Sequence, residues 1–450
     1  MAFDRIDGVW PLEGFLEQKN AAPGIKYGWI GIGQGGSKIV DAVAGIVDKA
    51  GNQVYPVMII NSNLGDMGKL KNISKKDMHP LVGYEQGVGK NPEVGKEAFM
   101  QNGAEIFDAV AEKMAGCSFI YVVGSLGGGT GTGAINVLAD AISDYIGIPV
   151  GAIVSLPRPN EIESLNAYNA MAELTPKLSL IREDEEGRQY RALENLVVLD
   201  NDKIIKEHTT KPEVPNLTWD FYSNYKVASI MHEWNVITSL ESDYTLDAAD
   251  LLNHIILGGG ILTYAKKKIN LDEVTNRENL IDEIISCYKE KNVLANGFDY
   301  QNDMSSMALV VVIPRDKKGM LNQDTLEIIR TRIGKELPHI NFYPGFATWG
   351  SRQHALVYTM AKMAGLPERA KKLRTEVEEL RSRREESEKK ASGFGMGEKI
   401  STGNTVTARR TVGGGNPFLK DASSNQAKMN NTPQTNQTTQ TIRNPFPKKI

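Results

Sequence analysis

The sequence predicts an α/β fold: a parallel sheet covered by helices on both faces, followed by a long central helix and a smaller α/β domain. Three observations predict it. Short apolar runs rich in β-branched residues alternate with helix-like stretches up to residue 200, as strands buried on both faces with crossover helices do. Two glycine-rich turns, at 31–36 and 127–133, each follow such a run and precede a helical pattern. The chain of 450 residues is 41% hydrophobic, enough for two to three domains at about 150 residues each.

In order, residues 1–25 read as an N-terminal extension. Strands are expected at YGWIGIG (27–33), VYPVMIIN (54–61), FIYVVGS (119–125), IPVGAIVSL (148–156) and NLVVLD (195–200), a Rossmann-like domain over 26–217. The amphipathic stretch 219–241 predicts the central helix, bounded at 218–242. Residues 243–366 form the second α/β domain, with strands at 308–315 and 354–362 and a helix at 280–290. In 367–390, 16 of 24 side chains are charged, and Ala370, Leu373, Val377 and Leu380 make a narrow helical stripe. That predicts a helix whose first half packs on the body and whose second half projects into water. Residues 391–450 carry a net +6, and thirteen of the 22 residues 421–442 are Asn, Gln or Thr. Such a segment lacks the apolar surface to offset its ordering entropy and reads as a disordered tail with a basic tip.

Composition removes whole classes. A net charge of -3 with 24% charged residues speaks against a uniformly basic nucleic-acid binder. Two cysteines, Cys117 and Cys287, exclude a disulfide framework and a cysteine-rich zinc site. There is no run of 18 apolar residues, so no spanning helix is expected, and the N-terminus lacks the pattern of a secretory signal. The expected location is cytoplasmic, without a membrane partner.

Chemistry concentrates in the glycine loops. In GIGQGG, Gly33, Gln34, Gly35 and Gly36 lie between a strand and a helix, where the backbone can approach a diphosphate and the helix N-terminus offers free N–H groups. By itself this also fits a dinucleotide site or a plain tight turn. A dinucleotide site asks for a ribose-binding carboxylate at the end of the second strand. That strand ends Asn61-Ser62-Asn63. The second loop, Gly127-Gly128-Gly129-Thr130-Gly131-Thr132-Gly133, is a nest of amides and hydroxyls suited to a terminal phosphate. No G-x-x-x-x-G-K-[ST] occurs, so the chain is not a P-loop enzyme. No histidine pair has metal-ligand spacing, and His232 reads as a packing residue.

GGGTGTG after a strand resembles the signature of the tubulin/FtsZ superfamily of GTPases, and the resemblance runs in order over about residues 26–365. It implies that GIGQGG is the first phosphate loop, joined by Asn61 and Asn63. Gly89, Lys90 and Asn91 resemble the loop facing the γ-phosphate. Asn201 resembles the residue contacting guanine or ribose, Asn224 the one reading the guanine edge, and Tyr222 is a stacking candidate. The implied ligands are GTP and GDP with Mg²⁺. Thr245-Leu246-Asp247-Ala248-Ala249-Asp250 resembles the catalytic loop that acts on the GTP of a neighbouring subunit, with Thr245 where Asn is usual. Asp247 and Asp250, three apart at a helix start, can orient or deprotonate water; as local sequence they equally suit acidic residues complementing a helix dipole.

The wording of 84–99 and 223–239 and the charged helix look most like the TubZ branch. That implies head-to-tail filaments, hydrolysis at the subunit interface, and a C-terminal tail that binds a DNA-binding adaptor and so segregates plasmid or phage DNA. The tail's composition alone also fits a solvated extension or direct DNA contact. Other classes in play are an FtsZ-type division or phage-positioning filament, an NAD-dependent oxidoreductase, and a nucleotide-binding scaffold without turnover.

Overall fold

The computed structural model describes residues 1–392 apart from 241, 243, 245, 351 and 352, with side chains described up to 389. Residues 1–380 form one compact unit, and 381–392 are the described part of a second. The tail expected at 391–450 therefore falls almost wholly outside the described residues, as does Thr245.

The compact unit is organised on one ten-stranded sheet. Its strands are β1 (Tyr27–Ile32), β2 (Val57–Asn61), β3 (Met78–Pro80), β4 (Phe119–Ser125), β5 (Val150–Leu156), β6 (Asn195–Asp200), β7 (Ile261–Asn270), β8 (Met304–Ile313), β9 (Asn341–Thr348) and β10 (His354–Met363). In space they run β9-β8-β10-β7-β6-β5-β4-β1-β2-β3. Only β10 opposes its neighbours; every other pair is parallel. The regions divided at about residue 243 thus share a sheet, joined where Leu196 and Val197 of β6 pair with Ile261 and Leu262 of β7.

The longer helices are α1 (Gly33–Ala44), α2 (Pro92–Lys113), α3 (Thr130–Ala141), α4 (Glu161–Leu174), α5 (Asn201–Thr210), α6 (Trp219–Ile237), α7 (Arg277–Ile285), α8 (Gln323–Glu336) and α9 (Leu373–Ser392). Alternate strand residues face opposite layers. Ile30, Ile32 and Val122 pack with Phe99 and Phe107 of α2 and Ile135 of α3. Trp29, Tyr121 and Val123 pack on the other side with Ile39 of α1 and Trp234 of α6. Among the described residues no helix is long and apolar enough to cross a membrane.

Strands β3 and β9 were not expected from the sequence, and three further elements depart from its reading. The central helix is not amphipathic, because every residue from Tyr222 to Ile237 is buried. Several of its buried polar groups are matched: Asn235 brackets the Ile25 backbone at 2.8 and 2.9 Å, and Glu233 meets Lys266 at 2.9 Å. His232 is the packing residue expected; it lies 2.9 Å from the Tyr55 hydroxyl, and burial pushes its pKa down to about 3. Strand β7 escaped notice because Lys266, Lys267 and Lys268 interrupt its apolar run; Lys266 is tolerated through Glu13 at 2.7 Å and Glu233. The N-terminal extension is core: Phe3, Ile6, Trp10 and Phe15 are buried beside α1 and α6.

Trp10 packs edge-on against Tyr222. Trp10→Ala is expected to destabilise the protein by about 3–5 kcal/mol through cavity formation, read as a lowered denaturation midpoint. An unchanged midpoint would mean that the N-terminal segment is an appendage.

Candidate nucleotide site

The C-terminal ends of β1, β2, β4, β5 and β6 open into a cleft of about 890 Å³, the end of a parallel sheet where ligands bind. Its floor is backbone against backbone. Gly33 turns from β1 into α1 with a left-handed φ of +67°, and a Cβ there would lie 2.8 Å from the Gly131 amide. Gly131 in turn sits within 3.0 Å of the Ile32 and Ser125 carbonyls at its own Cβ position. The two glycine loops are therefore seated on each other. Gly128, by contrast, has nothing within 4 Å of its Cβ position, so its open side faces the cleft.

Side chains brace this backbone. Thr132 donates its hydroxyl to the Gly128 carbonyl at 2.6 Å. Ser62 and Thr130 share a buried hydrogen bond of 2.8 Å, tying the β2 end to α3. From α4, Asn166 donates to the carbonyls of Lys90 at 3.0 Å and Gly127 at 3.3 Å, while Glu163 pairs with Lys90 at 2.5 Å. At the other end Ser223 donates to Asn201 Oδ1 at 3.1 Å. The buried Asn61 amide nitrogen lines the cleft with no partner among the described residues; a polar ligand would satisfy it.

Of the predicted binding residues, Gly33, Gln34, Gly35, Asn61, Asn63, Gly89, Lys90, Gly127, Gly128, Gly129, Thr130, Gly131, Asn201 and Asn224 line the cleft. Four do not. Gly36 packs α1 on β4, where a Cβ would strike the Val123 carbonyl. Asn91 caps α2, accepting from the Glu93 amide at 3.0 Å. Thr132 braces the loop from beneath. Tyr222 turns into the core, its hydroxyl on Glu207 at 2.8 Å. One residue in a helix is about 100° of rotation, so it is Trp219, Asp220, Ser223 and Asn224, paired at i and i+4, that face the cleft. Trp219 is 37% exposed and offers the flat apolar surface assigned to Tyr222. Lys38, Asp66 and Arg158 are further lining residues that pattern alone did not reveal; for Asp220, the i,i+4 spacing back from Asn224 is the usable signal.

Asp247 and Asp250 are absent from this cleft. Asp247 caps its own turn, accepting the Asp250 amide at 2.8 Å. The chain then reaches β7 through Gly259, whose amide bonds the Glu194 carbonyl at 2.9 Å, at the N-terminal end of β6. Ala248 also packs under Gly24, just before β1. The acidic turn therefore lies at the opposite end of the sheet, separated from the cleft by the length of α6, about 28 Å at 1.5 Å per residue.

Comparison with known proteins agrees with this geometry. Residues 26–183 match the GTPase domain of the tubulin/FtsZ family, and residues 233–374 match the C-terminal domain of TubZ-like tubulin/FtsZ-like proteins. The chain belongs to the tubulin/FtsZ family. Within that family it is similar to the tubulin-like protein TubZ of Bacillus cereus, 27% identical over 387 residues, covering 82% of this chain and 86% of that protein. TubZ of Bacillus thuringiensis subsp. israelensis is 26% identical over 429 residues, 88% of this chain and 85% of the relative. Among solved structures, a GTPγS-form protofilament of Bacillus thuringiensis serovar israelensis TubZ superposes with a TM-score of 0.70 at 24% identity, over 83% of this chain and 96% of that one. A two-stranded TubZ filament gives 0.72 at 24% identity, over 85% and 95%. The protein is thus a tubulin/FtsZ-family GTPase, and the oxidoreductase assignment falls.

Two glycine substitutions separate packing from binding. Gly36→Ala is expected to lower stability by about 1–3 kcal/mol through overpacking. Gly128→Ala should leave the melting temperature unchanged and weaken GTP binding about tenfold, roughly 1.4 kcal/mol. Thermal melts and nucleotide titrations on both variants check the pair; a stable Gly36→Ala protein would contradict the close seating of α1 on β4.

Proposed function

We propose that this chain is a TubZ-type filament-forming GTPase that stacks head-to-tail and hydrolyses GTP at the contact between subunits. The observation carrying the proposal is that the two seated glycine loops lie at one end of the sheet and the acidic turn lies at the other. A heterologous contact joining unlike ends does not close on itself and so builds filaments. The similarity to protofilament and filament structures of TubZ supports the same reading.

In this scheme the amides of 127–131 and 33–35 cradle the phosphates, Asn201 and Asn224 recognise the base, and Trp219 supplies a stacking surface. Asp247 fixes the acidic turn, while the Asp250 side chain, 50% exposed with His254 at 3.8 Å, orients the attacking water on the next subunit's GTP. Among the described residues no three His, Cys, Asp or Glu side chains cluster around a possible metal. Asp66, Ser62 and Thr130 line the cleft, and their oxygens are of the kind that would support an Mg²⁺ ion held mostly by phosphate oxygens and water. Bound there, Mg²⁺ neutralises charge developing on the phosphates.

The biological role we assign is segregation of plasmid or phage DNA in the cytoplasm, with the C-terminal tail engaging a DNA-binding adaptor. The tail's +6 charge is consistent with electrostatic steering to such a partner.

Asp250→Ala should keep GTP binding and sedimentable assembly while lowering phosphate release at least a hundredfold, about 2.7 kcal/mol of barrier. Wild-type turnover per molecule should rise with protein concentration. Turnover independent of concentration, or undiminished in Asp250→Ala, removes the shared site. Deleting 391–450 should spare assembly and abolish adaptor binding.

A further inference from the structure

The nucleotide cleft has a support that its lining does not reveal. Along the β6–α5 turn, Leu199 and Asn201 line the cleft, while Asp200 between them lines a separate cavity of about 1140 Å³ behind it. Asp200 caps α5 by accepting the Asp202 amide at 3.0 Å. Its carboxylate also receives Arg369 Nη1 at 2.7 Å, a pair only 13% and 12% exposed.

Arg369 comes from the short helical turn Glu368–Lys371, just before α9. Its guanidinium is used on all sides. Nη2 donates to the Pro157 carbonyl at 2.5 Å, and Pro157 and the adjacent Arg158 line the cleft. Nε donates to Glu376 Oε2 at 3.1 Å and Nη2 to Glu376 Oε1 at 3.2 Å. Glu376 also accepts from Ser164 of α4 at 2.6 Å. Ser164 lies between Glu163 and Asn166, the residues that hold Lys90 and the Gly127 carbonyl on the phosphate side. One planar fork therefore binds the β5 end, the β6 end and, through Glu376, the helix carrying the phosphate-side braces.

We infer that Arg369 is a positioning residue for nucleotide recognition: from behind the cleft it sets the spacing of the Pro157–Arg158 and Asp200–Asn201 turns, and so the placement of Asn201 against the base. The inference rests on the nucleotide assignment above. Lysine does not substitute, because one ammonium cannot hold a carboxylate, a carbonyl and a bidentate glutamate in the same plane.

The test measures the affinity of dilute full-length protein for GTP and for inosine triphosphate, which lacks the exocyclic amine of guanine. Wild type, Arg369→Ala, Arg369→Lys and Glu376→Gln are compared at a temperature where circular dichroism shows each folded. Arg369→Ala should weaken GTP binding about tenfold or more, the scale for residues that orient binding groups from behind, and compress the preference for GTP over inosine triphosphate. Arg369→Lys should recover little of it, and Glu376→Gln should be intermediate. Lysine or glutamine variants that are folded yet bind both nucleotides as wild type does would overturn the inference, even if Arg369→Ala fails to fold. A wild-type chain that binds neither nucleotide would instead sink the functional assignment.

Discussion

The structure depends on a contact between two backbones. A Cβ on Gly33 would lie 2.8 Å from the Gly131 amide, and one on Gly131 would lie 3.0 Å from the Ile32 and Ser125 carbonyls; this close seating brings the N-termini of α1 and α3 together. Unpaired N–H groups and two aligned helix dipoles then converge where a polyphosphate can sit. The surrounding hydrogen bonds, Thr132 to Gly128 and Ser62 to Thr130, hold a geometry that the glycines alone would leave soft.

Around that point the fold keeps unlike ends apart. A parallel sheet places all strand C-termini on one side, so a loop preceding a strand is necessarily far from a loop following one. The buried α6 makes this separation rigid: it starts at the cleft with Trp219 and finishes near Gly24, close to the acidic turn. With the acidic turn and the nucleotide cleft at opposite poles, the shared-site reading proposed above needs a second copy to bring them together.

Polar burial in the second half of the sheet follows a different logic. Lys266 of β7 is held by Glu13 and Glu233 from the N-terminal segment and the central helix. Ionic groups of this kind add little net stability but are costly to leave unpartnered, so they specify which elements meet. Arg369 acts similarly at the back of the nucleotide site, joining elements more than 160 residues apart in the chain.

The alternation of strands with helices up to residue 200, both glycine loops and the family were legible from sequence alone, because short-range sterics and hydrophobic period act within a few residues. The same patterns could not say that residues 1–25 are core, that a lysine-rich run is a central strand, or that one sheet joins both halves, since each depends on partners distant in the chain. At the site, fourteen of the predicted contacts line the cleft, but Tyr222, Asn91, Thr132 and Gly36 support it from outside. Which face of α6 meets the ligand is a matter of rotation about the helix axis, and that rotation is settled by packing against Trp10, Glu207 and the sheet. Residue type and spacing were determined by the sequence; direction was decided by the tertiary structure.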